Sequence, residues 1–326
     1  MQRTASPPVP AAFYEEEAMI KFIIRRLLSL IPVILGVTFF VFMVMQLAPG
    51  DAAKLLLGEG ATQEQVEELR EEMGLNDPVI VQYVRYMVNF CKGDLGTSYA
   101  TKRPVADEVF SRFPYTFNLS IVAGIVSILL AIPLGILAAV KQNTFFDNIS
   151  MVISLVGVSM PIFWLALLLV LAFSLNLGWF PVQGADGWKS YVLPAISLGF
   201  MNMASIARTT RSSMLETVRQ DYIRTARAKG VPKRDAIVKH AFENALIPTI
   251  TVCGIQLGQL LGGSVLTETV FAWPGIGRLM VQSISSRDVP MVLGCMVVMT
   301  VCFSVVNLLV DLLYAFVDPR IKAMYS

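Results

Sequence analysis

The chain has 326 residues, of which 55% are apolar and only 15% carry a charge, and its formal net charge is +2. An apolar fraction this high with so few charges excludes an ordinary water-soluble enzyme and indicates an integral membrane protein. The one histidine and four cysteines include no Cys-x-x-Cys pair, so the sequence predicts neither a disulfide framework nor a metal site.

The first residues are polar and include three consecutive glutamates, Glu15 to Glu17. A signal peptide needs a basic start, a short apolar core and a small-residue cleavage site, which this segment lacks. We interpret residues 1–21 as an N-terminal tail, within which residues 1–18 are dispensable or precede a native start at Met19.

Six uncharged apolar segments follow, each long enough to cross about 30 Å of hydrocarbon as a helix of about 20 residues. The third is unusually long, and Pro161 within it predicts a tilt or a break. The predicted fold is therefore all-α with six transmembrane helices. The six predicted spans are residues 27–48, 115–140, 148–177, 190–207, 244–267 and 289–310.

The distribution of Lys and Arg predicts the orientation of these spans. With six spans both termini lie on one side, and that side carries sixteen Lys and Arg residues against ten on the other. Because cytoplasmic loops carry an excess of Lys and Arg, we expect both termini and the loop at 208–243 in the cytoplasm.

The first external region, residues 49–114, is too long to be a simple connector. Thr62 and Gln65 have the spacing of a capping box, and apolar residues at helical spacing follow until Gly74. A second helix is predicted over residues 79–90. The region either packs as a cap on its own bundle, or receives a binding protein and forms part of an outer vestibule.

The loop at 208–243 is the most charged stretch between two spans, with nine Lys and Arg and four Asp and Glu. A helix-favouring run from Tyr222 to Lys229 precedes Gly230, which suits a left-handed position after a helix end. Pro232 suits the first turn of a second helix. A helical hairpin outside the bilayer is typical of a docking element, and the alternative is an ordinary basic cytoplasmic loop.

No catalytic constellation accompanies these elements. His240 has no second histidine at HExxH spacing, and the sequence contains neither GxSxG nor paired intramembrane carboxylates. It also lacks GxxxxGK[ST], so if the chain takes part in ATP-driven transport, the ATPase must be a different chain. The basic loop lies between spans and has no interleaved aromatic residues, which argues against nucleic-acid binding.

Several amides lie within the predicted spans, where polar residues face either a bundle interior or an aqueous path. Gln256 and Gln259, three residues apart, and Asn118 are the candidates for a translocation path, and interhelical hydrogen bonding is the alternative. Gly258 and Gly262 have GxxxG spacing, which permits close helix approach within the chain or against a second subunit.

The charged loop resembles the coupling loop of the membrane subunits of bacterial ABC importers, whose pattern is Glu-Ala-Ala, three residues, Gly and a later Ile-x-Leu-Pro. Arg224, Thr225 and Ala226 occupy the first three places, Gly230 follows, and the closing Leu-Ile-Pro at 246–248 lies further along. In both departures from the general pattern, the sequence resembles the peptide-permease branch of this family. LAPGD, GDLGTSY, RPV and ETVFAWPGIGRL resemble the same branch, and the resemblance runs from about Met19 to Arg320.

The resemblance implies a permease subunit of a peptide-type ABC importer, with type I architecture and an external insertion after the first helix. It implies that the hairpin sits in a groove of an ATPase subunit. The implied ATPase-coupling residues are Asp221, Arg224, Thr225, Ala226, Lys229, Gly230 and Pro232. The implied outer gate region contains Glu268, Trp273, Pro274 and Gly275. The expected parts are the tail at 1–21, the first helix plus external region at 22–114, the transmembrane domain at 115–317 and a C-terminal tail at 318–326.

The resemblance also implies the partners and the cargo. We expect a second related permease subunit, two ATPase subunits that bind ATP and Mg, an external substrate-binding protein and membrane lipid, with no cofactor on this chain and no nucleic acid. Short peptides are the expected cargo across the cytoplasmic (inner) membrane, and close relatives carry nickel, glutathione or oligosaccharides. A secondary transporter driven by an ion gradient would show paired intramembrane charges or inverted repeats, and an intramembrane enzyme would need a nucleophile and a base. The sequence shows none of these.

Overall fold

The computed structural model describes residues 11–47, 50–58 and 60–317, and the C-terminal tail predicted at 318–326 lies outside them. The described residues form twelve helices and no β-sheet. The first helix begins at Ala11, inside the predicted N-terminal tail, and residues 1–10 lie outside the description. The helices are α1 Ala11–Leu47, α2 Ala52–Leu57, α3 Gln63–Glu72, α4 Val79–Cys91, α5 Val105–Val140, α6 Phe145–Ser159, α7 Ile162–Asn176, α8 Lys189–Val218, α9 Asp221–Ala228, α10 Lys233–Val270, α11 Ile276–Ser285 and α12 Val289–Val317.

Five of these helices are long and apolar enough to cross a membrane: α1 within Ile23–Leu47, α5, α8, α10 and α12 within Val289–Leu312. The sixth candidate is the pair α6 and α7, which together satisfy the same test and are bent by 111°. The break lies at Met160 and Pro161, where Met160 is extended as a residue before proline prefers to be. The predicted break near Pro161 is confirmed.

Helix α8 lies at the centre of the bundle, in contact with α5, α6, α7 and α10. Small residues allow the helices to approach closely, which is how membrane helices pack without a hydrophobic driving force between them. A Cβ atom added to Gly135 on α5 would lie 2.7 Å from the Ala207 carbonyl oxygen of α8, and one added to Gly199 would lie 2.8 Å from the Ala123 carbonyl oxygen. In contrast, only 11% of the apolar window of α1 is buried, so α1 lies at the periphery.

The region between α1 and α5 folds at one end of the bundle, which we call the α3–α4 end. Thr62 and Gln65 form both hydrogen bonds of the predicted capping box, and Gly74 after α3 has a φ of +63°. The predicted second helix is present as α4. The sequence analysis is therefore correct for both local elements.

A buried aspartate ties this region to the bundle. Asp288, immediately before α12, is 1% exposed and accepts hydrogen bonds from Ser98 Oγ at 2.5 Å, from the Tyr99 N–H at 3.1 Å and from the Ala100 N–H at 3.2 Å. Burial, together with the nearby Asp288 carboxylate, raises the pKa of the Tyr99 phenol to about 12. The GDLGTSY loop is thus fixed at the start of the last span.

Candidate coupling hairpin and path-lining residues

The loop predicted at 208–243 contains a compact helical hairpin, formed by α9, the turn Lys229–Pro232 and the start of α10. The N–H of Gly230 donates to the Arg227 carbonyl at 3.0 Å, and the N–H of Val231 donates to the Ala226 carbonyl at 3.2 Å. This pair of bonds is a Schellman motif, which requires a left-handed residue, and Gly230 has a φ of +89°. The predicted left-handed position of Gly230 after the end of α9 is confirmed.

The prediction for Pro232 was one position off. Pro232 has an extended conformation and stands as the N-cap of α10, whereas the first helical position belongs to Lys233. The proline still suits this place because it cannot continue α9 and its missing N–H leaves no donor unpaired. After this start, residues Ala236–Ala241 form a π-helical turn, a feature that often marks functional segments of helices.

One apolar side chain anchors α9 to the bundle. Ile223 is 3% exposed and lies in a cluster that joins Ala139 of α5, Met214 of α8 and Ala245 of α10. The ends of three spans therefore meet at this single contact. Except for the half-buried Ala226, the other residues of α9 are exposed.

The exposed surface of the hairpin is strongly basic. Arg224 lies 3.6 Å from Asp221, but both side chains are largely exposed, so this ion pair adds little stability. In the part of the chain that the structure describes, no carboxylate lies within ion-pair distance of Arg227, Lys229 or Arg234. Slim residues and unpaired cations suit a helix that enters an acidic groove.

A buried ion pair at the same end of the bundle was not found from the sequence. Arg211 of α8 donates from Nε and Nη2 to the two Asp147 carboxylate oxygens of α6, at 2.6 and 2.8 Å. Asp147 also accepts the Asn143 N–H at 2.9 Å, which fixes the turn between α5 and α6. Sixty-four residues separate the two partners, and no local spacing signals such a pair.

At the α3–α4 end, the ETVFAWPGIGRL motif forms a packed junction between α5, α10 and α11. Glu268 is fully buried and accepts hydrogen bonds from Thr116 Oγ1 at 2.7 Å and from the Arg278 N–H at 3.0 Å. The Ile276 N–H donates to Thr116 Oγ1 at 2.9 Å. The carboxylate thus accepts a backbone N–H in the first turn of α11, where the helix dipole favours a negative charge.

Aromatic packing completes this junction. Trp273 is fully buried, donates from Nε1 to the Tyr115 carbonyl at 3.1 Å and meets the Tyr191 ring edge-on at 4.6 Å. Pro274 is half-buried, and Gly275 is the N-cap of α11, where an added Cβ would collide with the Glu268 carboxylate. The four residues predicted for an outer gate therefore belong to one junction. The gating role itself stays a prediction.

The three amides predicted for the path occupy different environments. Asn118 is exposed on α5 and Gln259 is exposed on α10, but Gln256 is half-buried. Thr116 pairs with Glu268 and Gly124 lies against Leu257 and Leu260, so Asn118 lies nearer the α3–α4 end than Gln259 does. The structure does not bring the three amides together.

Helix α10 keeps an exposed face, which is a candidate surface for a path or a seam. Ile255, Gln259, Gly262 and Leu266 recur on this face at helical spacing, and all four are exposed. A Cβ added to Gly258 would lie 2.8 Å from Asn307 Oδ1 of α12, whereas one added to Gly262 meets nothing within 4 Å. Of the two glycines with GxxxG spacing, Gly258 therefore permits the close approach of α12, whereas Gly262 lies beside open space. Among the described residues, no cluster of three His, Cys, Asp or Glu side chains is arranged to hold a metal.

A bundle of five or six candidate spans with a basic hairpin at one end has the form of an integral membrane protein. Residues 131–323 match the family of binding-protein-dependent transport system inner membrane components, and residues 19–120 match the N-terminal region of such components. The chain belongs to this family and is a permease subunit of a peptide-type ABC importer.

Curated relatives match over nearly their whole length. The dipeptide transport system permease protein DppB of Alkalihalophilus pseudofirmus is 46% identical over 332 residues, covering 93% of this chain and 100% of the relative. The glutathione transport system permease protein GsiC of Escherichia coli K12 is 42% identical over 304 residues, covering 93% and 99%.

Solved structures share the fold. An inward-facing structure of the MetNI methionine ABC transporter has a TM-score of 0.53 at 18% identity, covering 64% of this chain and 95% of that chain. An amino acid ABC transporter with histidines has a TM-score of 0.50 at 15% identity, covering 66% and 94%. These confirm the predicted all-α importer architecture.

Proposed function

We propose that this chain forms one half of an ATP-driven path that imports short peptides across the cytoplasmic membrane. A second related permease subunit completes the path, two ATPase subunits bind ATP and Mg, and an external binding protein delivers the cargo. The observation that carries the proposal is the hairpin: an exposed basic helix held to the bundle by one buried side chain, Ile223. The ATP-hydrolysing groups belong to the partner subunits.

The contacts of Ile223 suggest how the hairpin transmits force. A groove that moves α9 would move the cluster of Ala139, Met214 and Ala245, and with it the ends of α5, α8 and α10. The Arg211–Asp147 pair extends this connection to α6. Because packed helices shift as rigid units rather than deform, a small displacement of α9 would reach most of the bundle.

The proposed orientation puts the hairpin and both termini in the cytoplasm. It rests on the bias of sixteen Lys and Arg residues on that side against ten on the other. An ATPase subunit in the cytoplasm meets the hairpin only in this orientation.

The proposed cargo follows from the relatives and from the exposed amides. Both relatives are named for small peptidic substrates, a dipeptide and glutathione. Asn118 and Gln259 offer hydrogen bonds without a fixed charge, which suits zwitterions of varied sequence. Gln256 joins this path only if its half-buried side chain turns toward the exposed face of α10.

Uptake into proteoliposomes tests the proposed function. The chain is reconstituted with the subunits that co-purify with it, ATP is enclosed, and binding protein and a labelled dipeptide are added outside. We expect uptake that needs enclosed ATP and persists when ionophores collapse the proton and sodium gradients. Uptake that stops with the ionophores and continues without ATP would establish a secondary transporter instead.

The same vesicles test the cargo and the path. Competition by unlabelled glutathione against the dipeptide ranks the two cargo classes, and a non-hydrolysable ATP analogue is the matched control for energy.

Replacing Gln256 and Gln259 together with Leu should slow uptake. Unchanged uptake and unchanged cargo preference in that variant would remove the glutamines from the path.

A further inference from the structure

A cavity of about 370 Å³ lies at the α3–α4 end, between the end of α1, helix α4, the GDLGTSY loop and the start of α12. Buried Phe42 of α1 and buried Leu293 of α12 supply part of its apolar wall. Sites for small molecules have volumes of about 300–1,000 Å³ and combine apolar walls with a few polar groups. The lower end of that range suits an amino acid or a dipeptide rather than a long peptide.

Two half-buried polar side chains in the cavity wall are available to a ligand. Within the described part of the chain, Asn89 takes part in hydrogen bonds only through its backbone carbonyl, and Tyr99 only through its backbone N–H. The carboxamide of Asn89 and the hydroxyl of Tyr99 are therefore free to bond. In contrast, Gln82 Nε2, also in the wall, already donates to the Leu75 and Asp77 carbonyls at 3.0 and 2.8 Å.

Of the residues that line the cavity, Glu72, Arg85 and Lys102 carry a charge. Arg85 is committed to the Asp77 carboxylate and lies against Gly74, where an added Cβ would be 2.6 Å from Arg85 Nη1. Glu72 and Lys102 are exposed, and among the described residues neither has an opposite charge within ion-pair distance. The cavity therefore offers one free carboxylate and one free ammonium group.

The backbone of Lys102 is held in place by its loop. Lys102 has a φ of +58°, its N–H donates to the Ser98 carbonyl at 3.1 Å, and the Ser98 N–H donates to the Arg103 carbonyl at 2.9 Å. Asp288 fixes Ser98 in turn. Residues other than glycine adopt such a conformation rarely, and instances collect at ligand-binding segments. The loop thus presents the Lys102 side chain at the cavity without engaging its ammonium group.

The two free charges define the chemistry of a suitable ligand. A simple anion would pair with Lys102 but would meet the carboxylate of Glu72, and a simple cation would meet the opposite difficulty. A molecule that carries both an ammonium and a carboxylate group satisfies both side chains through charge-assisted hydrogen bonds. The Asn89 carboxamide and the Tyr99 hydroxyl then remain for a peptide group.

We propose that this cavity binds a small zwitterion, an amino acid or a dipeptide, with the carboxylate of the ligand at Lys102 and its ammonium group at Glu72. The site belongs to this chain alone, and none of its lining residues lies on α10, whose exposed face is the candidate surface for the path. That the bound zwitterion is cargo waiting to enter the path rests on the proposed function. The binding itself does not.

Protection of an engineered thiol tests the site. Thr97→Cys puts a thiol at an exposed position of the cavity wall, in a Cys91→Ser background of the full-length chain purified with its accompanying subunits. The rate of reaction with a water-soluble maleimide is measured with increasing dialanine, in the absence of ATP and of binding protein. The Cys91→Ser parent gives the background from the other cysteines. Glu68→Cys, exposed on α3 outside the cavity, is the control position.

We expect dialanine to slow the reaction at position 97 and to leave position 68 unaffected. Dialanine amide, which lacks the carboxylate, and N-acetyl-dialanine, which lacks the ammonium group, should protect less well. Because both charges of the site are exposed, Lys102→Gln or Glu72→Gln should raise the half-protecting concentration of dialanine about two- to fivefold. Lys102→Gln should also abolish the preference for dialanine over its amide, and Glu72→Gln the preference over the N-acetyl form.

Lys92→Gln and Glu68→Gln are the matched charge controls, because both residues are exposed and neither lines the cavity. Both should leave protection unchanged. No protection at position 97, or equal protection by dialanine and its two blocked forms, would overturn the proposal. Protection that is unchanged in both Lys102→Gln and Glu72→Gln would also overturn it. The vesicle uptake assay separates the two claims: ATP-dependent uptake without protection contradicts only this site, and protection without ATP-dependent uptake contradicts only the proposed function.

Discussion

Glu268 shows how a carboxylate is accommodated at the centre of a packed junction. Its carboxylate accepts hydrogen bonds from the Thr116 hydroxyl and from the Arg278 N–H. The Thr116 oxygen in turn accepts a hydrogen bond from the Ile276 N–H. Buried polar groups persist only when their hydrogen bonds are made, and networks such as this one are costly to open. Thr116 is the residue on which both sides of the network depend.

Thr116→Val should therefore lower the thermal stability of the protein. The isosteric change removes one donor from Glu268 and leaves the Ile276 N–H unpaired, at a cost of about 1–3 kcal/mol. Thermal unfolding in detergent measures the effect, and Thr269→Val is the control because Thr269 is exposed and bonds only within its own helix. Equal melting temperatures for the two variants would contradict this account of the junction.

Single residues also show what a sequence can reveal. The capping box of Thr62 and Gln65 and the left-handed Gly230 are local features, because partners three to five residues apart determine them. Thr116 and Glu268 are 152 residues apart, so no spacing rule pairs them. The spacing of three residues predicted that Gln256 and Gln259 share one helix face. Because the two side chains point in directions that differ by about 60° around the helix, Gln259 is exposed and Gln256 is half-buried.

At the scale of elements, the periodicity of apolar residues predicted the spans but not their full lengths. α5 begins at Val105, ten residues before the predicted span, because its first turns pack against α11 and α12. Two other helices likewise extend into charged sequence. Helix α8 continues to Val218, beyond its predicted span at 190–207, and α10 begins at Lys233, before its predicted span at 244–267. Hydropathy reports where lipid contacts a helix, whereas tertiary packing decides where the helix ends.

Helix α9 is too short to be stable by itself, so its order depends on its anchor. Ile223→Ala removes a buried side chain and should cost about 2–5 kcal/mol of local stability. We expect faster hydrogen exchange across residues 221–231 and weaker transport-dependent ATP hydrolysis in the complex. Val238→Ala, which truncates an exposed side chain of the same hairpin, is the control and should leave both unchanged.

Equal exchange rates in the Ile223→Ala and Val238→Ala variants would show that α9 does not depend on the buried cluster. The coupling role would then need a different connection to the bundle, for which the Arg211–Asp147 pair is the next candidate.

At the scale of the whole molecule, the bundle leaves two surfaces uncovered. α8 is enclosed by its neighbours, but α10 keeps a continuous exposed face in the middle of the bundle, and the basic hairpin projects from one end. Family membership and fold were readable from the sequence because the motifs are contiguous. The contacts between subunits were not, because they depend on surfaces assembled from several helices.

Co-purification from native membranes tests the central claim, that the α9 hairpin couples this chain to an ATPase. The wild type is compared with Gly230→Asp, which places a charged side chain on a residue with a φ of +89° and open space around it. Gly187→Asp is the matched control, because Gly187 has a φ of +78°, is equally open and lies in the loop before α8, away from the hairpin.

We predict that the wild type and Gly187→Asp bring down an ATP-hydrolysing partner and that Gly230→Asp does not, although all three reach the membrane in equal amounts. Partner recovery and ATP hydrolysis that are the same in Gly230→Asp as in the wild type would contradict the coupling role of the hairpin.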